Sequence, residues 1–464
     1  MKRPGRGLLS KIAGPAALLL AGTSARAETH PFSVTDMLAM DRISDPRVSP
    51  DGTRVAFTVR ETDMAANRGR NDVWLASLDG AGSRRLTSHE ASDTQARWAA
   101  DGRSLYFVTT RTGSAQVFSI RADGGEPEQT TRLPLDVDAL EVASPRMLIL
   151  SMPVFPGMTP EETRKAQEEK SKSKATGQLY DRLFVRHWDT WADGTRNHLF
   201  AYDLATGKAT DLMPAMDADC PSKPLGDSAD YAVSPDGRTV VFSARDAGRE
   251  EAWSTNFDLF AVPTDASAPP RKITTNPATD GHPRFSPDGK TLAYLAMSRA
   301  GYEADRYRVV LRDWASGRET THDLRADASP NGDRSPGGLA WTPDGRELLM
   351  TAEHLGQQPV FAMDAATGKA RLVASDGQTS DPQPAGAARI LFARNSLLGP
   401  TELYTAARDG RDVRRVTRLN DEKVAAARFG APEPFTFTGA GGDTVHGWLV
   451  RPVDFDASKK YPVA

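Results

Sequence analysis

The sequence predicts an all-β protein, a seven-bladed β-propeller, on three observations. First, a Ser/Thr-Pro-Asp-Gly turn followed by a β-branched run begins at Ser49, Ser234, Ser286 and Thr342, with a degenerate copy at Ala99. Second, an alternating strand follows each turn and leads, in several copies, to a basic-aliphatic-Thr triplet. Third, the alternating strands mostly stand about 40 to 60 residues apart, the length of one four-stranded blade.

The turn signal has a physical basis in each of its residues. Proline at the second position fixes φ near about −65°, aspartate can accept hydrogen bonds from its own turn, and glycine supplies the positive φ that closes it. The apolar run that follows, such as Val240-Val241-Phe242 after the Ser234 copy, is of strand type. Each copy therefore predicts a tight turn that leads into a strand.

The alternating strands fix the predicted blade count at seven. They are Val73–Leu78, Val117–Ile120, Leu199–Leu204, Leu259–Val262, Val309–Asp313, Val360–Asp364 and Glu402–Thr405. The third unit is degenerate, with only Arg146–Ser151 marking its early strand, so six or eight blades remain alternatives. The pattern does not decide whether the ends of the ring exchange strands.

The first 27 residues are expected to be a secretory signal peptide. Basic residues precede an apolar run at 12–21 that is too short to span a bilayer, and Ala25-Arg26-Ala27 is a small-x-small cleavage site. We therefore expect a periplasmic or secreted protein with no membrane contact after cleavage; an uncleaved anchor is the alternative. Cleavage removes five positive charges from a chain of net charge −3, and the resulting −8 disfavours nucleic-acid binding.

Composition and motifs exclude several kinds of site. Cys220 is the only cysteine, so neither an internal disulfide nor a cysteine-based zinc site can form. No G-x-S-x-G, H-E-x-x-H, P-loop or G-x-G-x-x-G motif is present, so we expect no catalytic residue, metal or cofactor in this chain. His446, in a predicted strand, is expected to be a packing residue.

The longest interval between repeats predicts a helical insertion at about 152–178. Met152-Pro153-Val154-Phe155-Pro156 is expected to break the strand, and Thr159-Pro160-Glu161-Glu162 is a capping box with proline at the first helical position. The charged residues that follow favour a solvent-facing helix on one rim over a gate for substrate.

A polar and aromatic stretch at 180–191 holds the weak candidates for substrate binding, Arg186, His187, Trp188 and Asp189. Such residues could form a patch that faces a ligand. The alternative is a strand whose tryptophan rings pack between blades while Arg186 and Asp189 form an ion pair. Metal binding by His187 and Asp189 is disfavoured, because no further His or Cys lies at ligand spacing.

Beyond Thr417 the repeat stops, and the chain changes character at residues 431–434. An alternating strand at 435–438, a Gly-rich turn and a returning strand at 444–450 predict a hairpin. This run, with V-H-G-W-L-V-R-P and K-K-Y-P-V-A, resembles the entry into the catalytic domain of prolyl oligopeptidase-family (S9) serine peptidases. The segments 32–38 and 42–52 resemble the opening of bacterial dipeptidyl-peptidase and acylaminoacyl-peptidase members.

The N-terminal pattern and the repeats predict a signal peptide at 1–27 and a propeller at 28–430, with the helical insertion at about 152–178. The resemblance implies that 431–464 is the start of an incomplete α/β-hydrolase domain. It also implies peptide substrates, and a catalytic Ser, Asp and His beyond residue 464 in the chain's own C-terminal hydrolase domain. This chain alone is then expected to be inactive; homo-oligomers stay open. The expected function is removal of dipeptides or acylated residues from short peptides, with the propeller gating access. The alternative is a non-catalytic, TolB-like periplasmic propeller that serves as a protein-interaction module.

Overall fold

A computed structural model describes residues 29–325 and 334–464 of the chain, so the predicted signal peptide at 1–27 lies outside the described residues. The repeat region forms seven four-stranded antiparallel sheets, and the strands of each sheet follow one another along the chain, except that a small separate hairpin lies between the second and third strands of the third sheet. These sheets are the blades of the predicted propeller, and the fold class is confirmed.

The strands of blades 1 to 7, in chain order, are Arg42–Val48, Arg54–Asp63, Arg68–Ser77, Ser83–Arg85; Asp93–Trp98, Ser104–Thr109, Gln116–Arg121, Glu128–Gln129; Ala139–Ser144, Met147–Val154, Arg196–Asp203, Ala209–Asp211; Tyr231–Val233, Thr239–Ala244, Asp258–Pro263, Arg271–Lys272; Asp280–Phe285, Thr291–Ala296, Arg308–Asp313, Glu319–His322; Gly337–Trp341, Glu347–Thr351, Val360–Asp364, Ala370–Ala374; Gln378–Ala385, Arg389–Ser396, Gly399–Ala407 and Arg414–Arg415. Outside the blades lie the strands His30–Pro31, Arg186–His187, Thr190–Trp191, Ala427–Arg428, Pro432–Thr438 and Thr444–Val450, and the helices Val34–Ala39, Pro160–Ser171 and Asp421–Ala426. Two short 3₁₀ turns occupy Gly248–Glu250 and Ala440–Gly442.

This strand order gives the propeller two different faces. The connections from first to second strand and from third to fourth strand lie on one face, which we call the turn face. The connections from second to third strand and from blade to blade lie on the opposite face, which we call the loop face. The helical insertion and both ends of the repeat region belong to the loop face.

The Ser/Thr-Pro-Asp-Gly copies are the hairpin turns of the turn face. Asp51 Oδ1 accepts hydrogen bonds from the Ser49 hydroxyl at 2.6 Å and from the Thr53 N–H at 3.1 Å. Asp236, Asp288 and Asp344 accept the same two bonds in their own turns. The repeated aspartate is thus a turn cap, as its position predicts.

The glycines of these turns let neighbouring blades approach closely. A Cβ added to Gly52, whose φ is +70°, would lie 2.7 Å from the backbone nitrogen of Gly386 in blade 7. At Gly289 and Gly345 the same atom would meet the turn proline of the preceding blade, at 3.5 and 3.7 Å. Successive turns therefore touch around the ring.

The basic-aliphatic-Thr triplets end on buried threonines that link the outer strands. The hydroxyls of Thr87, Thr274 and Thr417, and of Thr131 at the matching position of blade 2, accept hydrogen bonds of 2.8 to 3.0 Å from the backbone N–H of Val73, Leu259, Leu403 and Val117, respectively. Each bond satisfies a buried backbone donor of a third strand just beyond the point where its pairing with the short fourth strand ends. A small β-branched hydroxyl residue is therefore repeated at this position.

The ring closes without strand exchange among the described residues. Ile43 and Phe57 of blade 1 share a buried cluster with Leu391 and Leu403 of blade 7. The Gln383 side chain adds two bonds across the same junction, accepting from the Val48 N–H at 2.9 Å and donating to the Pro46 carbonyl at 2.8 Å. Side-chain packing and hydrogen bonds thus hold blade 1 to blade 7.

The insertion begins later than the sequence predicts. The second strand of blade 3 continues through Met152 and Pro153 to Val154, where a break was expected. Beyond Ser151 this strand has a neighbour on only one side, so a proline there costs little. The helix Pro160–Ser171 carries the capping box between Thr159 and Glu162.

None of the helices in the described part of the chain is long and apolar enough to cross a membrane.

Candidate functional site

Inner-strand bulges shape the axial channel of the propeller. Asp45, Gln95, His282 and Asp381 have φ between +48° and +56°, at places where the register of the first and second strands shifts. A β-bulge turns side chains away from the regular alternation of a strand. Blades 1, 2, 5 and 7 therefore use the same device on the strand that lines the axis.

Arg97 is the centre of an ion-pair network in this channel. Its guanidinium is buried and contacts Asp45 Oδ2 at 2.7 Å and Glu141 Oε2 at 3.1 Å. Burial alone would raise the pKa of Asp45, but the charges of Arg97 and Arg47 outweigh it and hold that pKa below its usual range. Three adjacent blades are thus joined by a buried guanidinium and two half-buried carboxylates that satisfy one another.

Residues 227–229, in the connection to blade 4, reach into the same channel. The Ser228 hydroxyl accepts hydrogen bonds from Arg47 at 3.1 Å and from Arg97 at 3.4 Å. Arg284 of blade 5 donates to the Ala229 carbonyl at 3.3 Å. Because these arginines come from blades 1, 2 and 5, this segment crosses part of the channel and narrows it at the loop face.

Two adjoining cavities form a trough on the loop face, over blades 5, 6 and 7. They share Glu353 and Gln358 in their walls. The inner cavity, of about 580 Å³, is lined mainly by polar side chains, among them His282, Tyr307 and Thr351. Burial, assisted by the charge of Arg284, lowers the pKa of His282, so this imidazole is neutral at pH 7.

The outer cavity is larger, about 820 Å³, and less polar. Its apolar walls are Leu355 from blade 6, Leu397 and Leu398 from blade 7, and Trp448 from the hairpin formed by Pro432–Thr438 and Thr444–Val450. The Trp448 indole N–H donates to the Gly356 carbonyl at 3.0 Å, which fixes the hairpin against the propeller. His446, expected to pack, is instead exposed on this wall.

The four candidates from the sequence lie elsewhere, on a small hairpin made by Arg186–His187 and Thr190–Trp191. Arg186, His187, Trp188 and Asp189 are all exposed, and none of them lines the trough. The packing alternative is wrong: the Trp188 and Trp191 residues are 66% and 58% exposed instead of lying between blades. Arg186 lies over the Trp191 ring at 5.8 Å and donates to the Trp188 carbonyl, and it forms no ion pair with Asp189.

A histidine–carboxylate pair does occur inside the fold, but its geometry gives it a structural role. His198 Nδ1 lies 2.9 Å from Asp211 Oδ2, and its Nε2 lies 3.0 Å from the Met216 carbonyl oxygen. Both ring nitrogens are thus engaged, so the imidazole cannot take a proton from a nucleophile. Among the described residues there is no group of three His, Cys, Asp or Glu that could hold a metal ion.

The trough was missed at the sequence level because its residues come from unrelated loops. Glu353 and Leu355 follow the second strand of blade 6, whereas Leu397 and Leu398 follow the second strand of blade 7. The available signal was an apolar residue beside glycine in a short loop, at Leu355-Gly356 and at Leu397-Leu398-Gly399. Leucine there, where polar residues are usual, marks loops that contact something apolar.

Comparison with known proteins gives sequence relatives along nearly the whole chain. Residues 37–144 match the TolB beta propeller domain (PD40). Dipeptidyl-peptidase 5 of Porphyromonas gingivalis is 27% identical over 430 residues, which cover 92% of this chain and 61% of the relative. The dipeptidyl-peptidase 5 of Aspergillus fumigatus is 26% identical, with coverage of 92% and 62%. The chain thus spans about six-tenths of the length of these relatives.

Solved structures share the fold. The acylaminoacyl peptidase of Pyrococcus horikoshii superposes with a TM-score of 0.66 at 14% identity, over 92% of this chain and 60% of that one. The propeller domain of the trilobed protease from Pyrococcus furiosus, described as having an open velcro topology, gives 0.53 at 14% identity, with coverage of 82% and 97%. These matches confirm the resemblance drawn from the motifs: dipeptidyl-peptidases are among the sequence relatives of this chain, and an acylaminoacyl peptidase is among the proteins that share its fold.

Proposed function

We propose that this chain is the propeller portion of an exported serine peptidase that removes dipeptides or acylated residues from short peptides. The observation that carries the proposal is the hairpin Pro432–Thr438 with Thr444–Val450, which leaves the last blade and forms a wall of the loop-face trough. A propeller that only binds other proteins needs no such hairpin. In a peptidase it joins the propeller to the domain that holds the nucleophile.

The surface of the hairpin supports this role. Phe435, Phe437, Val445 and Leu449 are all more than one-third exposed and lie on one face of a two-stranded sheet, and that face lacks a partner among the described residues. Exposed apolar clusters of this kind are typical of interfaces. In this proposal the hydrolase domain covers them and lies over the loop face, so that the trough opens toward its active site.

The narrowed channel supports the gating half of the proposal. Residues 227–229, held by Arg47, Arg97 and Arg284, restrict the axial route to the loop face. A peptide in extended form then has access to the trough while a folded protein does not. The catalytic step belongs to the hydrolase domain, where a serine attacks the scissile carbonyl with histidine as general base and aspartate orienting it.

The test is hydrolysis of chromogenic dipeptidyl and acyl-amino acid substrates by two proteins. One is this chain, and the other is the product of the whole gene that encodes it. We expect release of chromophore by the whole product and none by this chain. An N-acetylated dipeptidyl substrate separates the two specificities, because a dipeptidyl-peptidase rejects it. If the whole product hydrolyses none of these substrates, the TolB-like interaction module replaces the peptidase.

Export is proposed on the sequence pattern alone and has its own test. The N-terminal residue of the protein recovered from periplasm or medium should be Glu28, directly after Ala25-Arg26-Ala27. A protein that stays in the membrane fraction with Met1 intact would favour the uncleaved anchor.

A further inference from the structure

We propose that the outer cavity of the trough is a specificity site that binds one bulky apolar side chain of a peptide and rejects an acidic one. This inference rests on the proposed function for its biological meaning, since it names which peptides the enzyme prefers. It concerns binding, so it can be tested apart from hydrolysis.

The walls of the cavity fit an apolar side chain. Leu355, Leu397 and Leu398 are 58%, 51% and 46% exposed, and all three line the same cavity. Three leucines on adjacent loop tips are costly to leave in water unless a ligand covers them. The Trp448 ring closes the opposite side of the cavity. The volume of the cavity, about 820 Å³, lies in the range of small-ligand sites.

The loops that carry these leucines are already in place. His354 and Gln357 exchange two backbone hydrogen bonds, of 2.8 and 3.0 Å, across the tip that holds Leu355. The Gln358 N–H donates to the Gly377 carbonyl at 3.0 Å, which ties this loop to the connection between blades 6 and 7. A preformed cavity loses little conformational entropy when a ligand enters. Leu355 itself has a φ of +53°, an unusual conformation for a leucine that this frame maintains.

The rim of the cavity is acidic. Glu353 and Asp376 both line it, and the Asp376 side chain is 85% exposed. The nearest cation to Asp376, Arg394, is 3.9 Å away, and its guanidinium lies over the Tyr404 ring at 4.0 Å. The rim thus keeps a negative potential, which repels a carboxylate on the ligand.

The polar lining of the inner cavity favours a peptide over other occupants of the trough. It adjoins the outer cavity at Glu353 and Gln358 and presents the Thr351 hydroxyl, the Gln358 amide and the Tyr307 phenol. These groups match the N–H and C=O groups of an extended backbone. An apolar compartment beside a polar one suits one side chain plus its adjoining main chain better than a flat protein partner.

The experiment is calorimetric titration of the chain with three amidated tripeptides, Gly-Phe-Gly, Gly-Gly-Gly and Gly-Asp-Gly. We expect Gly-Phe-Gly to bind at least about tenfold more tightly than Gly-Gly-Gly, since burying a phenyl ring contributes roughly 1.5 to 3 kcal/mol. Gly-Asp-Gly should bind most weakly. The double variant L355S/L398S should remove the preference for Phe and leave the affinity for Gly-Gly-Gly unchanged.

The matched control is L179S, which changes a 98% exposed leucine of the same face that lies outside the trough. It should keep the full preference for Phe.

In a second variant, E353Q/D376N, the affinity for Gly-Asp-Gly should rise severalfold, a result that a merely structural role of these residues does not give. Equal effects of L355S/L398S and L179S would overturn the inference. So would a loss of dimer on sedimentation of L355S/L398S without any change in peptide binding.

Titration and hydrolysis separate the two proposals. If the whole gene product is inactive on peptides but the chain binds Gly-Phe-Gly through Leu355 and Leu398, the site stands and the peptidase proposal fails. If the whole product is active and its kcat/KM for Phe-containing and Gly-containing substrates responds equally to L355S/L398S, the peptidase stands and the site fails.

Discussion

The turn face and the loop face are formed by the same seven blades, yet they differ in how their residues are used. On the turn face one set of contacts recurs: an aspartate caps each Ser/Thr-Pro-Asp-Gly turn, and glycines let successive turns touch. On the loop face the connections range from two residues at Leu397-Leu398 to the long segment 155–195. Buried charges, cavities and exposed apolar residues concentrate there.

The difference shows where a repeat protein places stability and where it places function. Contacts that recur from blade to blade add to the stability of the ring and do little to distinguish one blade from another. Irregular loops break that equivalence, so a ligand can distinguish blades 5 to 7 from the rest. We therefore expect substitutions at equivalent turn-face positions to have similar, moderate effects on stability. Substitutions on the loop face should differ from one another in their effects.

The largest effect is expected from the channel network. Arg97→Met removes a buried guanidinium that Asp45 and Glu141 share; their side chains are 25% and 33% exposed, and Asp45 keeps Arg47 at 2.7 Å. Losing the charged hydrogen bonds to these half-buried carboxylates should cost about 1 to 3 kcal/mol in the free energy of unfolding. Arg47→Met is the matched control, because the Arg47 side chain is 34% exposed whereas that of Arg97 is 5% exposed. Urea denaturation should show a loss for Arg47→Met of about 1 kcal/mol or less. Equal losses would mean that the network is solvated and does not join the blades.

A medium effect on stability is expected from substitution of a glycine where the turns of blades 1 and 7 touch. Gly52→Ala places a Cβ 2.7 Å from the Gly386 backbone nitrogen, while Gly386→Ala, at the same φ of +70°, meets nothing within 4 Å. Both substitutions carry the backbone cost of a positive φ, about 1 kcal/mol. Only Gly52→Ala adds a clash between blades 1 and 7. Thermal unfolding should therefore show a lower Tm for Gly52→Ala than for Gly386→Ala, and similar Tm values would contradict close contact at the closure of the ring.

The sequence was sufficient to predict the turn face because its determinants are local. Asp51, Gly52 and their repeats act locally, so their spacing revealed the turns, and the alternating strands between them gave the blade count. The capping box at Thr159 and Glu162 was visible for the same reason. The strand break expected at Pro153 was wrong, because a strand tolerates proline where its neighbouring strand has already ended. Where that neighbour ends is a property of the sheet and not of the local sequence.

The candidate site was beyond sequence reasoning because its determinants are distant along the chain. Glu353, Leu398 and Trp448 meet only after the blades have closed and the hairpin has folded back. The unusual composition of the stretch instead pointed to Arg186, His187, Trp188 and Asp189. These residues lie on an exposed hairpin outside the trough. Their part in substrate binding remains a prediction. An unusual local composition indicates an unusual segment, but only the fold tells which segments share a surface.

The smallest effect should distinguish the charge of a turn cap from its shape. Hydrogen bonds from Ser49 and then from Thr53 lower the pKa of Asp51 to about 2. A folded-state pKa below the unfolded value of about 3.9 stabilises the fold at pH above about 4, and this contribution is lost as the pH falls toward 2. Because Asp51 is exposed, solvent screening limits it to less than about 1 kcal/mol.

Asp51→Asn keeps the shape of the cap and removes the charge. Its unfolding free energy should fall below that of the unmodified chain by a few tenths of a kcal/mol at pH 7, and the two should converge between about pH 4 and pH 2. Asp189→Asn, at an exposed aspartate outside the turns, is the control and should follow the unmodified chain at every pH. A constant offset for Asp51→Asn across that window would mean that the turn depends on the geometry of the cap alone. The repeated aspartates of the turn face would then be there for shape, and their charge would add nothing to the stability of the ring.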